Sequence, residues 1–222
     1  MRMRYWLRVL ALGLPGVLAA QEGDQAALSI KEAGREIGHE DFTLRPTRPG
    51  RPVGDSLITV ARYPETRPLS TIQGVLQLST KGAPLSLSLD YQNGRQGETF
   101  LTSVSRTRVT VRRVARGSES ARELPGGDQI LLLDDSLFAT YLSMASLATE
   151  APKTVTAIFP RTAKRVTLSI KRTTLPPGRA DNAQTAIEFS GDVAGQLLLD
   201  SAGHFVRLEL PGRQIEVSRL PK

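Results

Sequence analysis

Gln129-Ile-Leu-Leu-Leu-Asp134-Asp135-Ser-Leu-Phe-Ala-Thr-Tyr-Leu-Ser-Met-Ala-Ser-Leu-Ala148 is the stretch whose reading decides the fold. Its first part reads as a short buried strand. From Leu137 onward, apolar side chains recur at helical spacing: Leu137, Phe138, Tyr141, Leu142 and Ala145, widened by Met144 and Ala148. Asp134 or Asp135 is placed to accept hydrogen bonds from the free amides of the first turn, at the positive end of the helix dipole. Pro152 closes the segment. The opposite face is Ser136, Ala139, Thr140, Ser143 and Ser146, where a surface helix would carry Lys and Glu. The spacing therefore predicts one helix near residues 135–148, enclosed on both sides.

Almost everything else reads as strand. Working backward, Ala27–Glu32 and Arg35–Arg45 form a hairpin about Ala33-Gly34. Pro46 to Pro52 is a proline-rich loop, unable to join a sheet interior. Asp55–Tyr63 and Thr71–Thr80 follow, then Pro84–Gln92 with the clearest alternation in the chain: Leu85, Leu87, Leu89 and Tyr91 against Ser86, Ser88 and Asp90. Asn93-Gly94 is a hairpin turn, because both residues tolerate positive φ. Glu98–Val104 and Thr107–Val114 continue the meander with Phe100, Val104, Val109 and Val111 as core candidates, and Gly117–Gly127 reads as an exposed loop.

Forward of the helix, Thr154–Phe159 and Arg165–Lys171 point Val155, Ala157, Phe159, Val166, Leu168 and Ile170 inward. Thr185–Phe189, Val193–Asp200, His204–Leu210 and Gln214–Arg219 form a terminal meander. About thirteen short strands and one helix predict a mostly β fold. The expected architecture is a strongly curved antiparallel sheet, a half-barrel or open barrel meander wrapped around the central helix. A β-sandwich with an end helix is the alternative.

Residues 1–20 read as a cleavable signal peptide. Arg2, Arg4 and Arg8 form its positive region, Val9–Val17 its apolar region, and Val17-Leu18-Ala19 or the next Ala its cleavage site. The apolar run is shorter than the roughly 20 residues that span a bilayer. Residues 21–222 are then a single antiparallel β domain with no transmembrane segment, periplasmic or secreted. The chain has no cysteine, which rules out disulfides and thiolate metal sites, so the core alone must hold it. Loss of the leader arginines takes the formal charge from +7 to +4. The remaining basic residues are dispersed along strands, and with 5% aromatic residues there is no nucleic-acid partner to expect.

Few residues suggest chemistry. Gly54-Asp55-Ser56-Leu57 spells the nucleophile motif of the GDSL hydrolases, and Asp200 and His204 stand near the C-terminus. That family's serine sits at a strand-to-helix turn, whereas Ile58-Thr59-Val60 continues as strand. Its terminal pair is one residue closer than Asp200 and His204, and its G-x-N-D block is absent. A serine esterase is thus a minor alternative. The only histidines, His39 and His204, have no second His or Cys nearby in sequence, so no metal site and no cofactor are expected. Glu40 and Asp41, beside Phe42, are read as marking a bulge in the second strand.

Gly34-Arg-Glu-Ile-Gly38, the meander, the helix after an acidic pair and the run from Gly195 through Gly203 to Leu210 resemble uncharacterised bacterial envelope β-proteins. The layout is similar to the half-barrel of the periplasmic lipoprotein carriers (LolA/LolB-like), whose helical lid covers an apolar concave face. This resemblance implies a curved sheet and lipid or lipoprotein handling. The leading functional expectation is a non-enzymatic binding or carrier protein for a hydrophobic ligand, such as a lipid or lipoprotein acyl chain. Phe138, Tyr141, Leu142 and Ala145 would wall its cavity. An envelope structural or protein-interaction domain, with an envelope protein as partner, is the alternative.

Overall fold

The computed structural model describes residues 23–47, 53–65, 67–178 and 181–221. The leader assigned to residues 1–20 lies outside them, as do residues 48–52 of the first proline-rich loop. The first eight strands form an up-and-down meander. They are β1 (Gln25–Glu32), β2 (Arg35–Arg45), β3 (Val53–Tyr63), β4 (Ser70–Ser79), β5 (Pro84–Asn93), β6 (Gln96–Val104), β7 (Arg108–Ala115) and β8 (Ser118–Pro125). A short strand β9 (Ile130–Leu132) and the helix Phe138–Ser146 follow. A second meander ends the chain: β10 (Lys153–Phe159), β11 (Lys164–Thr174), β12 (Thr185–Gly191), β13 (Gly195–Leu199), β14 (Phe205–Leu210) and β15 (Ile215–Arg219).

Among the described residues, all fifteen strands belong to one open sheet, with β8 and β9 at its two edges. The two meanders join along β1 and β15, paired antiparallel from Leu28 opposite Arg219 to Glu32 opposite Ile215. Only β9 runs parallel to its neighbour, β10. The fold is thus mostly β and antiparallel, and no helix of the described residues is long and apolar enough to cross a membrane.

Two sequence expectations need correction. Ser118–Pro125, expected as loop, is strand β8, paired to β7 from Ala115 opposite Ser118 to Arg108 opposite Pro125. An edge strand exposed on both faces carries no apolar alternation, so its polar sequence conceals it. The helix is shorter than expected and is a 3₁₀ helix of nine residues. Runs beyond three or four residues are uncommon in this geometry. Here, Thr140 Oγ1 donates to Leu137 O at 2.6 Å, Ser143 Oγ to Thr140 O at 2.7 Å and Ser146 Oγ to Ser143 O at 2.9 Å. Three hydroxyls, three residues apart, fall in one column of a helix with three residues per turn. Each finds its partner one turn back, so Thr140 and Ser143 are buried without orphaned donors, while Ser146 ends the column exposed.

One face of the sheet and the helix share a single core cluster. It holds Leu87, Leu89, Phe100, Val109, Val111, Val155, Ala157, Phe159, Val166, Leu168 and Ile170 among others, all buried. Gly74 on β4 lets the helix entry approach, since a Cβ there would meet Leu137 Cδ1 at 2.8 Å and Thr59 Cγ2 at 3.0 Å.

Candidate functional site

The predicted stripe on the helix splits under the 3₁₀ geometry. Phe138 and Tyr141 share a column with Met144, and all three are buried core residues. Leu142 and Ala145 share the column of Ala139 and are half-buried. Tyr141 packs on Phe138 and Phe189, with ring centroids 6.4 and 5.8 Å away. Among the described residues, its buried hydroxyl has no hydrogen-bond partner. Of the four predicted ligand-contacting residues, Leu142 lines a small pocket of about 240 Å³, together with Leu44, Pro46, Asp55 and His204.

The start of the helix is the most charged part of the interior. Asp134 and Asp135 were expected to cap it, and neither does: the residue before the first turn, Leu137, makes no side-chain cap. The cap comes instead from Glu40 on β2. Its Oε2 accepts from Phe138 N at 2.7 Å, and its Oε1 from Ala139 N at 3.0 Å and Thr59 Oγ1 at 2.5 Å. Glu40 is fully buried and marks no bulge; the irregularity between β1 and β2 lies at Ile30/Lys31. Three donors favour the carboxylate, but burial outweighs them and, with Asp134 nearby, pushes the pKa up to about 7.

Asp134 serves a different purpose. It accepts Ser136 N at 2.8 Å and a two-pronged contact from Arg161, Nε to Oδ2 at 2.6 Å and a terminal nitrogen to Oδ1 at 2.8 Å. Arg161 also reaches Ser136 Oγ at 2.9 Å and stacks over Tyr91, 5.4 Å from the ring centroid. Tyr63 donates to Ser136 O at 2.8 Å, and Arg213 holds Asp135 at 3.1 Å. At the other end, Arg172 donates to Ala145 O. Strands from both meanders thereby fix the helix at both ends.

A wider opening lies elsewhere. The inner faces of β6, β7 and β8 and the turn between β10 and β11 bound a groove of about 450 Å³. Phe100 and Val111 belong to both its lining and the main core. Arg113, Arg122 and Arg161 supply its charge. Arg113 is bound by Glu98, whose carboxyl is held below its usual range by that hydrogen-bonded pair. Sequence reading missed this groove because its walls come from β8 and from a turn about 40 residues further along the chain.

The remaining candidates stay apart. Ser56 alternates with buried Leu57 and so points to the opposite face of β3. His204 Nδ1 lies 3.0 Å from Asp200 inside a turn, and Asp55 accepts Thr47 N at 3.0 Å. Asp55 and His204 share the small pocket, whose lining does not include Ser56. His39 faces Asp41 and Glu65 at 3.3 and 3.8 Å. Among the described residues, no group of three or more His, Asp or Glu is placed to hold a metal. No protein-family model, curated protein or solved structure matches the chain.

Proposed function

We propose that the chain is an exported, non-enzymatic binding or carrier protein for a hydrophobic ligand, with its sheet curved into a half-barrel around the helix. The groove on β6–β8 carries this reading. Buried Phe100 and Val111 lie beneath it, continuous with the core, and its size falls within the roughly 300–1,000 Å³ of small-molecule sites. Curvature is supported by the contact of Arg161, after β10, with Tyr91 on β5, strands far apart in the sheet order. In this reading, Phe138 and Tyr141 are the packed filling of the half-barrel, and the ligand lies in the groove at its open end. An envelope-interaction domain is the second reading, favoured by the unpaired outer edge of β8.

The test is titration with a fluorescent fatty-acid analogue. Saturable binding of one probe per chain is expected, abolished by Ser120→Trp, which fills the groove from an exposed position and leaves the denaturant melt unchanged. A wild-type protein that binds no probe refutes the carrier. Export is tested separately: N-terminal sequencing of the secreted product should begin at Ala20 or Gln21, and retention of Met1 would overturn it.

A further inference from the structure

We propose that the groove selects an anionic single-chain amphiphile, its acidic head held by Arg122 and its alkyl chain laid on Phe100 and Val111. This rests on the carrier reading and names its ligand class. Most arginines around the groove are already engaged. On β7, Arg108 pairs with Glu123 at 3.0 Å and Arg112 binds Glu119 through Nε at 3.0 Å. Arg113 is taken by Glu98, and Arg161 by Asp134. Arg122 lines the groove and, among the described residues, has neither an ion pair nor a hydrogen bond.

Left open to water, an unpaired guanidinium costs nothing. A hydrophobic ligand lying across it strips that water away, and a neutral ligand would return no compensation. A carboxylate or phosphate head does, because the planar guanidinium offers paired donors that match two oxygens of such a group. Charge complementarity therefore selects the head, and Phe100 and Val111, buried beneath the groove, are the apolar residues the tail would meet.

A second observation lies on the same line of the sheet. Thr102 on β6, Val111 on β7 and Arg122 on β8 are directly opposite one another in register, so they share one face. Thr102 is buried, and among the described residues its hydroxyl has no partner. Two strand spacings, about 10 Å, separate it from Arg122. The row thus runs from the guanidinium at the sheet edge, across Val111 in the groove lining, to Thr102 in the core behind it. The groove volume of about 450 Å³ suits one alkyl chain rather than the two of a phospholipid.

The experiment titrates the full chain with dodecanoate, dodecanol and dodecyltrimethylammonium by displacement of the fluorescent probe. Dodecanoate should bind about tenfold more tightly than dodecanol at low salt, the worth of one charge-assisted contact. Added salt and Arg122→Gln should each erase that margin without altering dodecanol binding. Equal affinities for all three, or an Arg122→Gln variant identical to wild type, overturn the head assignment and leave the carrier standing. Failure of every probe overturns the carrier itself. Binding to phosphatidylglycerol vesicles without binding of monomeric dodecanoate would instead assign Arg122 to a membrane surface and overturn the groove as the site.

Discussion

Arginine and carboxylate meet in two places, and the protein treats them differently. At the start of the helix, Glu40 and Asp134 are buried among core residues, and every oxygen of the two acids receives a donor, two of these from Arg161, which reaches in from the groove wall. On the inner face of β6–β8, the same residue types stand near water, and Arg122 is left over. Buried charge must be matched by the chain itself, because no solvent can do so. Charge at an open face can stay unmatched until something else arrives. The first region is therefore read as architecture and the second as a receptor.

Substitutions should separate the two regions sharply. Glu40→Ala leaves two helix amides and Thr59 without an acceptor in the core, and is expected to cost about 3–5 kcal/mol in denaturant melts. A loss under about 1 kcal/mol would mean the helix does not depend on this cap.

Titration probes the same carboxyl. Its folded pKa is raised from 4.5 to about 7, so the native state holds the proton more tightly than the unfolded chain. Glu40 thus contributes stability that is complete below pH 4.5, is lost as pH rises to about 7, and changes no further above it. The span is on the order of 3 kcal/mol, and this contribution to the slope should be absent from Glu40→Gln. Identical pH profiles for the two proteins would disprove the assignment.

Next in size is Ser143→Lys. Ser143 is 4% exposed, so a lysine must be forced into the packed column or lose its charge, at about 2 kcal/mol. A melt identical to wild type would make this face a surface. Last comes Arg122→Gln, expected to stay within about 0.5 kcal/mol because the side chain is exposed and unpaired. A larger loss would give Arg122 a structural role and blur the contrast.

Sequence legibility follows the range of the interaction. Alternation placed Leu87, Leu89, Val109, Val111, Val155 and Leu168 in the core, where they lie. Burial is a period-two signal that one strand carries alone. Leu85, at the start of the same alternating strand, is 37% exposed because the pattern cannot tell where the sheet's cover ends. The uncharged face of the helix was read as enclosed, and Thr140 and Ser143 are buried. Its 3₁₀ form was also present, as hydroxyls at 140, 143 and 146, but an expected spacing of 3.6 hid a repeat of 3. The Glu40 cap could not be read locally, since acceptor and donor are 98 residues apart. The groove has the same origin, with walls set by how strands far apart in sequence come to face each other.

The seam between β1 and β15 sets a condition on how the molecule comes into being. Leu28 finds its partner at Arg219, and Asp24 receives Arg219 at 2.8 Å, so the second neighbour of β1 is β15, far along the chain. The strands from β1 to β8 can zip together hairpin by hairpin, and so can those from β10 to β15. The middle of the finished sheet, however, must wait for β15 to find β1. Until then, β1 carries a bare edge of backbone donors and acceptors at the centre of the future structure. For this protein, the vulnerable interval is thus the time before β15 docks on β1, and any companion that shields the folding chain would be needed most at β1.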